Sequence, residues 1–409
     1  MPPDRSQNSG QVKPRRAGYP NFGRVACIIH MAVKVPTMSF RFVLLWAALI
    51  VAAPSIAQPL PEKLDEFREF LVQHRADTHV QSLSVAIAKD GKIVFAEGFG
   101  WQDHDAEEPT TAETTYLVAS ITKTYTAATL LAMEADGHID LDDDFTKLSD
   151  WDDRCRWLTT SGSIFGGGTL ENGMQVAAPR CDGPITLRQV LQHRVQGEPG
   201  TSFFYNPVVF GRLANWIEEQ TGRSWREWVN QYVLEPADLA DTAAGWRDPD
   251  KGHVLTHLAP PFRLAPDQAD HIAPSTLPNP ELNASSGIIA GVLDLAKYSI
   301  ALDEGRILPP ALRETMWTPP TDPDGQPAPY AYGWYVQTWR GHSLVWHAGW
   351  WPDAYAGLLL KAPNDGWTLA VQANTDGLRW GNPLDDAQVE KSELARKFLE
   401  LFVDGPAAR

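Results

Sequence analysis

Apolar residues at the start of the folded region recur at helical spacing. Between residues 60 and 75 they stand at positions 64, 67, 70 and 71, which predicts an amphipathic N-terminal helix. Two apolar runs follow, at 83–88 and 92–96, with Asp90 and Gly91 between them. Short apolar runs around an Asp-Gly pair are typical of a β-hairpin.

Further along, the pattern favours helices. Residues 121–135 are rich in Ala, Leu and Thr and contain no Pro or Gly, which predicts a buried helix ended by Gly137. Other segments with helical patterns are 185–192, 207–220, 293–302 and 391–402. Residues 240–284 contain many Pro and Asp residues, which predicts a long irregular loop.

Short strands dominate the last third of the chain. The patterns at 333–338, 343–347, 356–360 and 368–373 each predict a strand, and Asn364-Asp-Gly predicts the hairpin turn before the last of them. The order of elements indicates an α/β protein of the α+β type, in which one antiparallel sheet is flanked by N- and C-terminal helices and a mostly helical region is inserted in sequence. We expect a sheet domain of residues 58–115 and 285–409 and a mostly helical domain with long loops at 116–284.

The first 57 residues have the pattern of a targeting segment. A basic stretch precedes an apolar run of residues 43–53, and Ser55-Ile-Ala57 ends it with small residues. A secretory signal peptide has this organisation, and the apolar run is shorter than the 20 or so residues of a membrane span. We expect cleavage after Ala57, translation from Met38 or Met31, and a periplasmic or secreted protein with no membrane span after signal removal. The alternative is an uncleaved N-terminal anchor.

The net charge is more negative when the leader is left out. The chain has 409 residues and a formal net charge of −16. Residues 58–409 hold 28 basic and 50 acidic residues, a net charge of −22. This balance argues against nucleic acid as a partner.

Cysteine usage fits the same interpretation. Cys27 lies in the leader, so Cys155 and Cys181 remain, and they bracket a segment rich in Gly, Ser and Thr. In an exported protein such a pair predicts a disulfide. The alternative is two free thiols. A metal site is not expected, because no His lies at ligand spacing near either Cys.

The candidate chemistry begins with Ser120 and Lys123, an S-x-x-K motif between a strand-like run and the predicted buried helix. A Ser at a helix N-terminus feels the positive end of the helix dipole, and a Lys three residues later projects from the same face. A desolvated Lys can lose its proton and accept one from the Ser hydroxyl. The alternative is a Ser that caps the helix beside an exposed Lys.

The wider sequence resembles a known superfamily. Residues 83–92 read LSVAIAKDGK, 97–100 read EGFG, 116–128 read YLVASITKTYTAA and 137–144 read GHIDLDDD. This text is similar to that of the serine β-lactamase and penicillin-binding protein superfamily, and in particular of its class C β-lactamase-like and family VIII esterase branch. The resemblance implies that Ser120 is the nucleophile and Lys123 its catalytic partner.

A second family motif, Tyr-x-Asn behind a Pro-Gly turn, is matched by PGTSFFYNP at 199–207. The resemblance implies that the Tyr205 phenol is a proton shuttle whose pKa the neighbouring cationic Lys lowers. The family's Asn position holds Pro207, and Asn206 stands one residue early. Asn206 either substitutes for that Asn in binding substrate, or the contact is absent. A core aromatic is the alternative for Tyr205.

A third family motif, His-x-Gly, is matched by His347-Ala-Gly349 within LVWHAGW at 344–350. The resemblance implies that His347 supplies a donor near the substrate's charge or the Tyr205 hydroxyl, and that Gly349 lets substrate approach the strand. It also implies an oxyanion hole made by the backbone N–H groups of Ser120 and Trp350. The alternatives are a structural strand histidine, and a Trp350 side chain packed into the sheet rather than lining the pocket.

Together these features predict an exported serine hydrolase that acts through an acyl-enzyme on a small-molecule substrate, without metal or organic cofactor. An esterase or amidase is expected over an efficient β-lactamase, because the second motif is altered and Trp350-Trp351 suits apolar acyl groups better than a charged carboxylate. A D-alanyl peptidase, a β-lactamase and a non-catalytic penicillin-binding-type module remain alternatives. The oligomeric state is not predicted.

Overall fold

The computed structural model describes residues 58–103, 105, 107–170, 173–265, 268–278, 284–383 and 386–404. The predicted leader, its cleavage site and the alternative start residues lie outside these ranges, so the signal peptide and export stay predictions. No helix in the described ranges is both long and apolar enough to cross a membrane.

Strands and helices alternate unevenly along the described residues. The strands are β1 (Ser82–Lys89), β2 (Lys92–Gly100), β3 (Thr115–Leu117), β4 (Gly168–Thr169), β5 (Gln175–Val176), β6 (Thr242–Ala243), β7 (Phe262–Ala265), β8 (Gln268–Pro274), β9 (Ile289–Gly291), β10 (Tyr335–Trp339), β11 (His342–Trp351), β12 (Tyr355–Ala362) and β13 (Trp367–Ala373). The helices are α1 (Leu60–Asp77), α2 (Thr122–Ala135), α3 (Trp151–Thr160), α4 (Leu187–Leu191), α5 (Pro207–Gly211), α6 (Leu213–Thr221), α7 (Trp225–Val229), α8 (Gly252–Thr256), α9 (Val292–Asp303), α10 (Pro310–Trp317) and α11 (Glu393–Phe398). Single π-helical turns extend α7 through Asn230–Leu234 and α11 through Leu399–Val403.

The main sheet is antiparallel throughout, and its strand order among the described residues is β10-β11-β12-β13-β1-β2. The adjacent strands β1 and β13 are far apart in sequence, which confirms an antiparallel sheet divided by an inserted region. The first hairpin turns at Asp90 and Gly91, both with positive φ. Such angles at both central positions are the reason that an Asp-Gly pair predicts a tight turn. The division into two domains at residues 115 and 285 stays a prediction.

Side chains of the central strands alternate between two cores. Leu83, Val85 and Ile87 of β1 join a cluster with Phe67 of α1 and with α11, whereas Ala86 faces the cluster of α2 and α9. Each fully buried Leu, Val or Phe contributes about 1.5–3 kcal/mol. The N- and C-terminal helices therefore cover one face of the sheet, and α2 and α9 cover the other.

Several boundaries differ from the sequence prediction. The helix expected at 207–220 is divided at Arg212 into α5 and α6. The loop expected at 240–284 contains β6, α8 and the β7–β8 hairpin. Its prolines did not prevent pairing, because Pro261 precedes β7 and Pro274 ends β8, positions where a missing N–H is tolerated. Helices α3, α7 and α10 were not predicted.

The predicted disulfide is present between Cys155 of α3 and Cys181, with a Cα–Cα distance of 5.7 Å. It closes a loop that contains the β4–β5 hairpin. A loop of this size gains about 3 kcal/mol of stability from closure. The bond excludes the alternative of two free thiols.

Candidate active site

Ser120 lies on a strained turn between β3 and α2. The turn is a 3₁₀ helix, Ala119–Ile121, and Ala119 has a φ of 46°, in the left-handed region. A non-glycine residue in this region costs of the order of 1–3 kcal/mol and persists where its surroundings hold it. Here Val118 donates a backbone bond of 3.0 Å to Ile288, and the Ile288 N–H donates one of 3.0 Å to the Thr122 hydroxyl. The strain is therefore located directly at the candidate nucleophile.

Gly349 of β11 lies against this turn. A Cβ atom at position 349 would stand 2.2 Å from the carbonyl oxygen of Val118. The glycine is therefore required by the close packing of β11 on the Ser120 turn. This packing is a second reason for a glycine here. Gly349 also lines the cavity described below, and the approach of substrate to its strand stays a prediction.

Lys123 is buried beneath Ser120. Its side chain has no exposed surface, and its Nζ donates to Ser120 Oγ at 3.0 Å and to the carbonyl oxygen of Ser285 at 2.9 Å. Burial lowers the pKa of Lys123 well below its ordinary value. Ser120 does not cap α2 with its side chain. The alternative of a capping Ser beside an exposed Lys is therefore excluded by the geometry.

Tyr205 lies next to Lys123, whose Nζ is 4.9 Å from the centre of the phenol ring. The residue lines the same cavity as Ser120. Burial raises the pKa of Tyr205, and the Ser120 hydroxyl acts weakly in the opposite direction. The expectation of a lowered pKa was wrong, because burial of the phenol outweighs the effect that would lower its pKa. Tyr205 is thus a neutral phenol, a proton donor rather than a phenolate.

Asn206 does not reach the cavity. It is fully buried as the N-cap of α5, where its Oδ1 accepts from the N–H groups of Val208 and Val209. Its Nδ2 donates to the carbonyl of Phe165 and to Oε1 of Gln196, both at 3.0 Å. The proposed substitution of Asn206 for the family's Asn is therefore wrong. Pro207 takes the first position of α5, where proline is favoured, and lines the cavity.

Both ring nitrogens of His347 form hydrogen bonds with neighbouring residues. Its Nδ1 donates to the carbonyl of Ala348 at 2.8 Å, so Nε2 accepts from the Tyr330 hydroxyl at 3.1 Å. Burial, with Lys123 second, lowers the pKa of His347 to about 3. The expected donor to a substrate charge or to Tyr205 is absent, because the imidazole is neutral and both nitrogens are engaged. The structure fits the alternative of a strand histidine in a structural role.

A cavity of about 410 Å³ opens in front of Ser120. Its walls are mostly apolar, and Trp350, which is 41% exposed, lines it rather than packing into the sheet. The guanidinium of Arg379 stacks on Trp350 at 4.7 Å from the ring centre. Ser120 and Trp350 both line the cavity, and the oxyanion hole formed by their backbone N–H groups stays a prediction.

Residues that the sequence analysis missed are joined to the site by long-range contacts. The Ser285 carbonyl holds Lys123, the Tyr330 hydroxyl occupies His347, and Arg379 enters the cavity from the segment after β13. None of them carries a local pattern. Their place at the site follows from the fold and not from a motif of their own.

The sequence model of the Beta-lactamase family matches residues 67–392. The chain belongs to the beta-lactamase family. It is therefore a member of the serine β-lactamase and penicillin-binding protein superfamily, as the resemblance implied. The match covers the strands of the main sheet, the Ser120 turn and the segment of Tyr205.

Curated proteins similar to this chain include a D-aminopeptidase. The chain is 27% identical over 286 residues to a D-aminopeptidase of Gluconobacter oxydans, a match that covers 65% of this chain and 50% of that protein. The chain thus spans about half the length of that curated relative.

Solved structures share the fold. An octameric penicillin-binding protein homologue from Pyrococcus abyssi is 23% identical, with a TM-score of 0.64 over 83% of this chain and 77% of that one. A D-amino acid amidase from Ochrobactrum anthropi is 19% identical, with a TM-score of 0.62 over 84% of this chain and 99% of that one. Both confirm the predicted fold class.

Proposed function

We propose that the protein is an exported serine hydrolase that cleaves small esters or amides through an acyl-enzyme. The observation that carries the proposal is the 3.0 Å contact between Oγ of Ser120, which lines the cavity, and the buried Nζ of Lys123. The disulfide supports export, since such bonds persist in oxidising compartments.

Each step has a group placed to perform it. Neutral Lys123 takes the hydroxyl proton as Ser120 Oγ attacks the carbonyl carbon and forms a C–O bond. Neutral Tyr205 gives its proton to the departing alcohol or amine as the second bond breaks, and the proton on Lys123 restores it. Water then attacks the acyl carbon and loses a proton to neutral Lys123. That proton passes to Ser120 Oγ as the acyl C–O bond breaks, which releases the acid and restores the Ser120 hydroxyl.

The charge of the cavity narrows the substrate class. Among the described residues that line it, Arg379 is the only charged side chain, and Asp and Glu are absent. Arg379 donates to the Asn382 carbonyl at 3.1 Å, and its guanidinium stacks on Trp350. A guanidinium with free donors suits a carboxylate. We therefore propose a substrate that combines an apolar acyl group with a carboxylate, which amends the expectation drawn from Trp350-Trp351 alone.

This charge pattern argues against an aminopeptidase like the Gluconobacter relative, because the described lining offers no carboxylate for a substrate ammonium.

Exchange of Arg379 for Gln should reduce kcat/KM for a carboxylate-bearing anilide by about 10- to 100-fold and change kcat/KM for a neutral p-nitrophenyl ester by less than about threefold. Arg180→Gln, a surface arginine outside the cavity, is the matched control. Equal losses on the two substrates would contradict the assignment.

The proposed activity is tested by incubating the purified protein with a fluorophosphonate and mapping the adduct by mass spectrometry. We expect one adduct, on Ser120, together with hydrolysis of short p-nitrophenyl esters or of acyl anilides. Nitrocefin and a D-alanyl-D-alanine peptide in the same panel test the β-lactamase and D-alanyl peptidase alternatives. An unlabelled protein that hydrolyses none of these substrates would identify a non-catalytic module instead.

A further inference from the structure

His193 is bonded to both residues that flank Tyr205. Its carbonyl oxygen accepts from the N–H of Phe204 at 2.9 Å, and its ring Nδ1 accepts from the N–H of Asn206 at 3.0 Å. One residue in the turn after α4 thus holds the backbone on either side of the candidate proton donor.

The imidazole of His193 also packs on the phenol itself. The ring centres of His193 and Tyr205 are 4.4 Å apart. The imidazole also packs against the rings of Phe210 and Tyr330, whose centres are 5.1 Å and 4.9 Å from its own. His193 is 1% exposed, and its Nε2 has no hydrogen-bond partner in the part of the chain that the structure describes. The hydrogen bond from the Asn206 N–H and the aromatic packing therefore fix the imidazole, although its surroundings are otherwise apolar.

The backbone of His193 shows the same constraint. Its φ is 53°, in the left-handed region, where non-glycine residues are uncommon and His, Asn and Asp are enriched. A strained residue with a buried, half-satisfied ring is costly for stability alone, since an unsatisfied buried donor costs about 1–3 kcal/mol. A functional reason for this arrangement is available in its contact with Tyr205.

We infer that His193 is a positioning residue for Tyr205, fixing the phenol against Lys123 and Ser120 so that its proton reaches the leaving group. The inference rests on the proposed function and assigns His193 no contact with substrate. Because misplacement of a proton donor by about 1 Å costs on the order of 100-fold, the two bonds and the ring contact are sufficient to affect turnover.

Two variants separate the ring from its acceptor. His193→Phe keeps an aromatic ring beside Tyr205 and removes the acceptor for the Asn206 N–H. His193→Asn keeps an acceptor near the Nδ1 position and suits the left-handed backbone. We expect His193→Phe to lower kcat for an amide substrate by about 100-fold with KM within about threefold, and His193→Asn to lose less than about 10-fold. His138→Phe, at an exposed histidine outside the cavity, is the matched control.

The leaving group tests whether the effect passes through Tyr205. Fluoride leaves a fluorophosphonate without a proton from the enzyme, so the labelling rate of Ser120 should stay within about threefold in His193→Phe while amide turnover falls. Introducing His193→Phe into Tyr205→Phe should cause no further loss, because residues that act as one unit are not additive.

Outcomes of this cycle are distinct from those of the proposed function. A wild-type protein without label or turnover refutes the hydrolase itself. A labelled, active wild type in which the His193 and Tyr205 losses multiply, or in which labelling falls with turnover, overturns the positioning role. If His193→Phe does not fold, the same double-mutant cycle is run with His193→Asn, and multiplying losses there overturn the role equally.

Discussion

Replacement of Ser120 by alanine should eliminate hydrolysis, with a fall in kcat of about 10⁴-fold or more, and should abolish the fluorophosphonate adduct. The reason is that the oxygen which forms the acyl bond is removed, while the cavity and the remaining donors stay in place. Because alanine fits the same helical turn, we expect the free energy of unfolding to change by less than about 1 kcal/mol. Steady-state kinetics, intact mass and chemical denaturation measure these quantities.

Ser286→Ala is the control for labelling, since Ser286 lines the same cavity and its hydroxyl makes no contact with Lys123. This variant should retain the adduct on Ser120. Residual turnover in Ser120→Ala above the uncatalysed rate, or an adduct that moves to another residue, would assign the nucleophile elsewhere.

The sheet could be predicted from sequence because its physics is local. Alternation in β1 sends Leu83 and Val85 to one core and Ala86 to the other, and an Asp-Gly pair closes the first hairpin. Short helices were less accessible. Helix α7 is five residues long and depends on its Ser224–Glu227 capping box and on the burial of Trp225 and Trp228. The capping box is a readable signal, whereas the burial is not.

In the candidate site, too, local contacts could be predicted from the sequence and long-range contacts could not. Ser120 and Lys123 are one helical turn apart, so their contact follows from spacing alone. The partners of Asn206 and His347 do not. Asn206 is used as a helix cap because α5 begins at the next residue, and His347 accepts from Tyr330, which a separate segment brings to it. Family-like position therefore identified the place of these residues correctly and their role incorrectly.

Replacement of Lys123 by methionine should lower kcat by about 10²- to 10⁴-fold, the usual contribution of a general base. Methionine fills the buried space without a proton acceptor, so Ser120 keeps its place and loses its activation. In the wild type, log kcat/KM should rise with pH through the lowered pKa of Lys123 and then level off. The variant should show no such rise.

The same pKa shift predicts a stability signature. Between the lowered pKa of folded Lys123 and its unfolded value near 10.5, the unfolded chain binds a proton that the folded protein does not. The free energy of unfolding of the wild type should therefore rise with pH in this window, by up to about 1.4 kcal/mol per pH unit, relative to Lys123→Met. Below the window both states carry the ammonium and its burial cost is fully present. Denaturation at a series of pH values measures the difference.

Two lysine variants decide whether Lys123 acts as a base or only as a positive charge. Lys123→Arg keeps a cation that cannot deprotonate, so it should be as inactive as Lys123→Met if a base is needed, and should retain turnover if charge suffices. Lys361→Met removes a second buried lysine, which pairs with Asp303 away from the cavity. It should lose stability, because Asp303 and Ser299 lose their partner, and keep kcat. If Lys123→Arg turned over substrate at nearly the wild-type rate, Lys123 could not be a neutral general base, because a permanently charged side chain would do the same work.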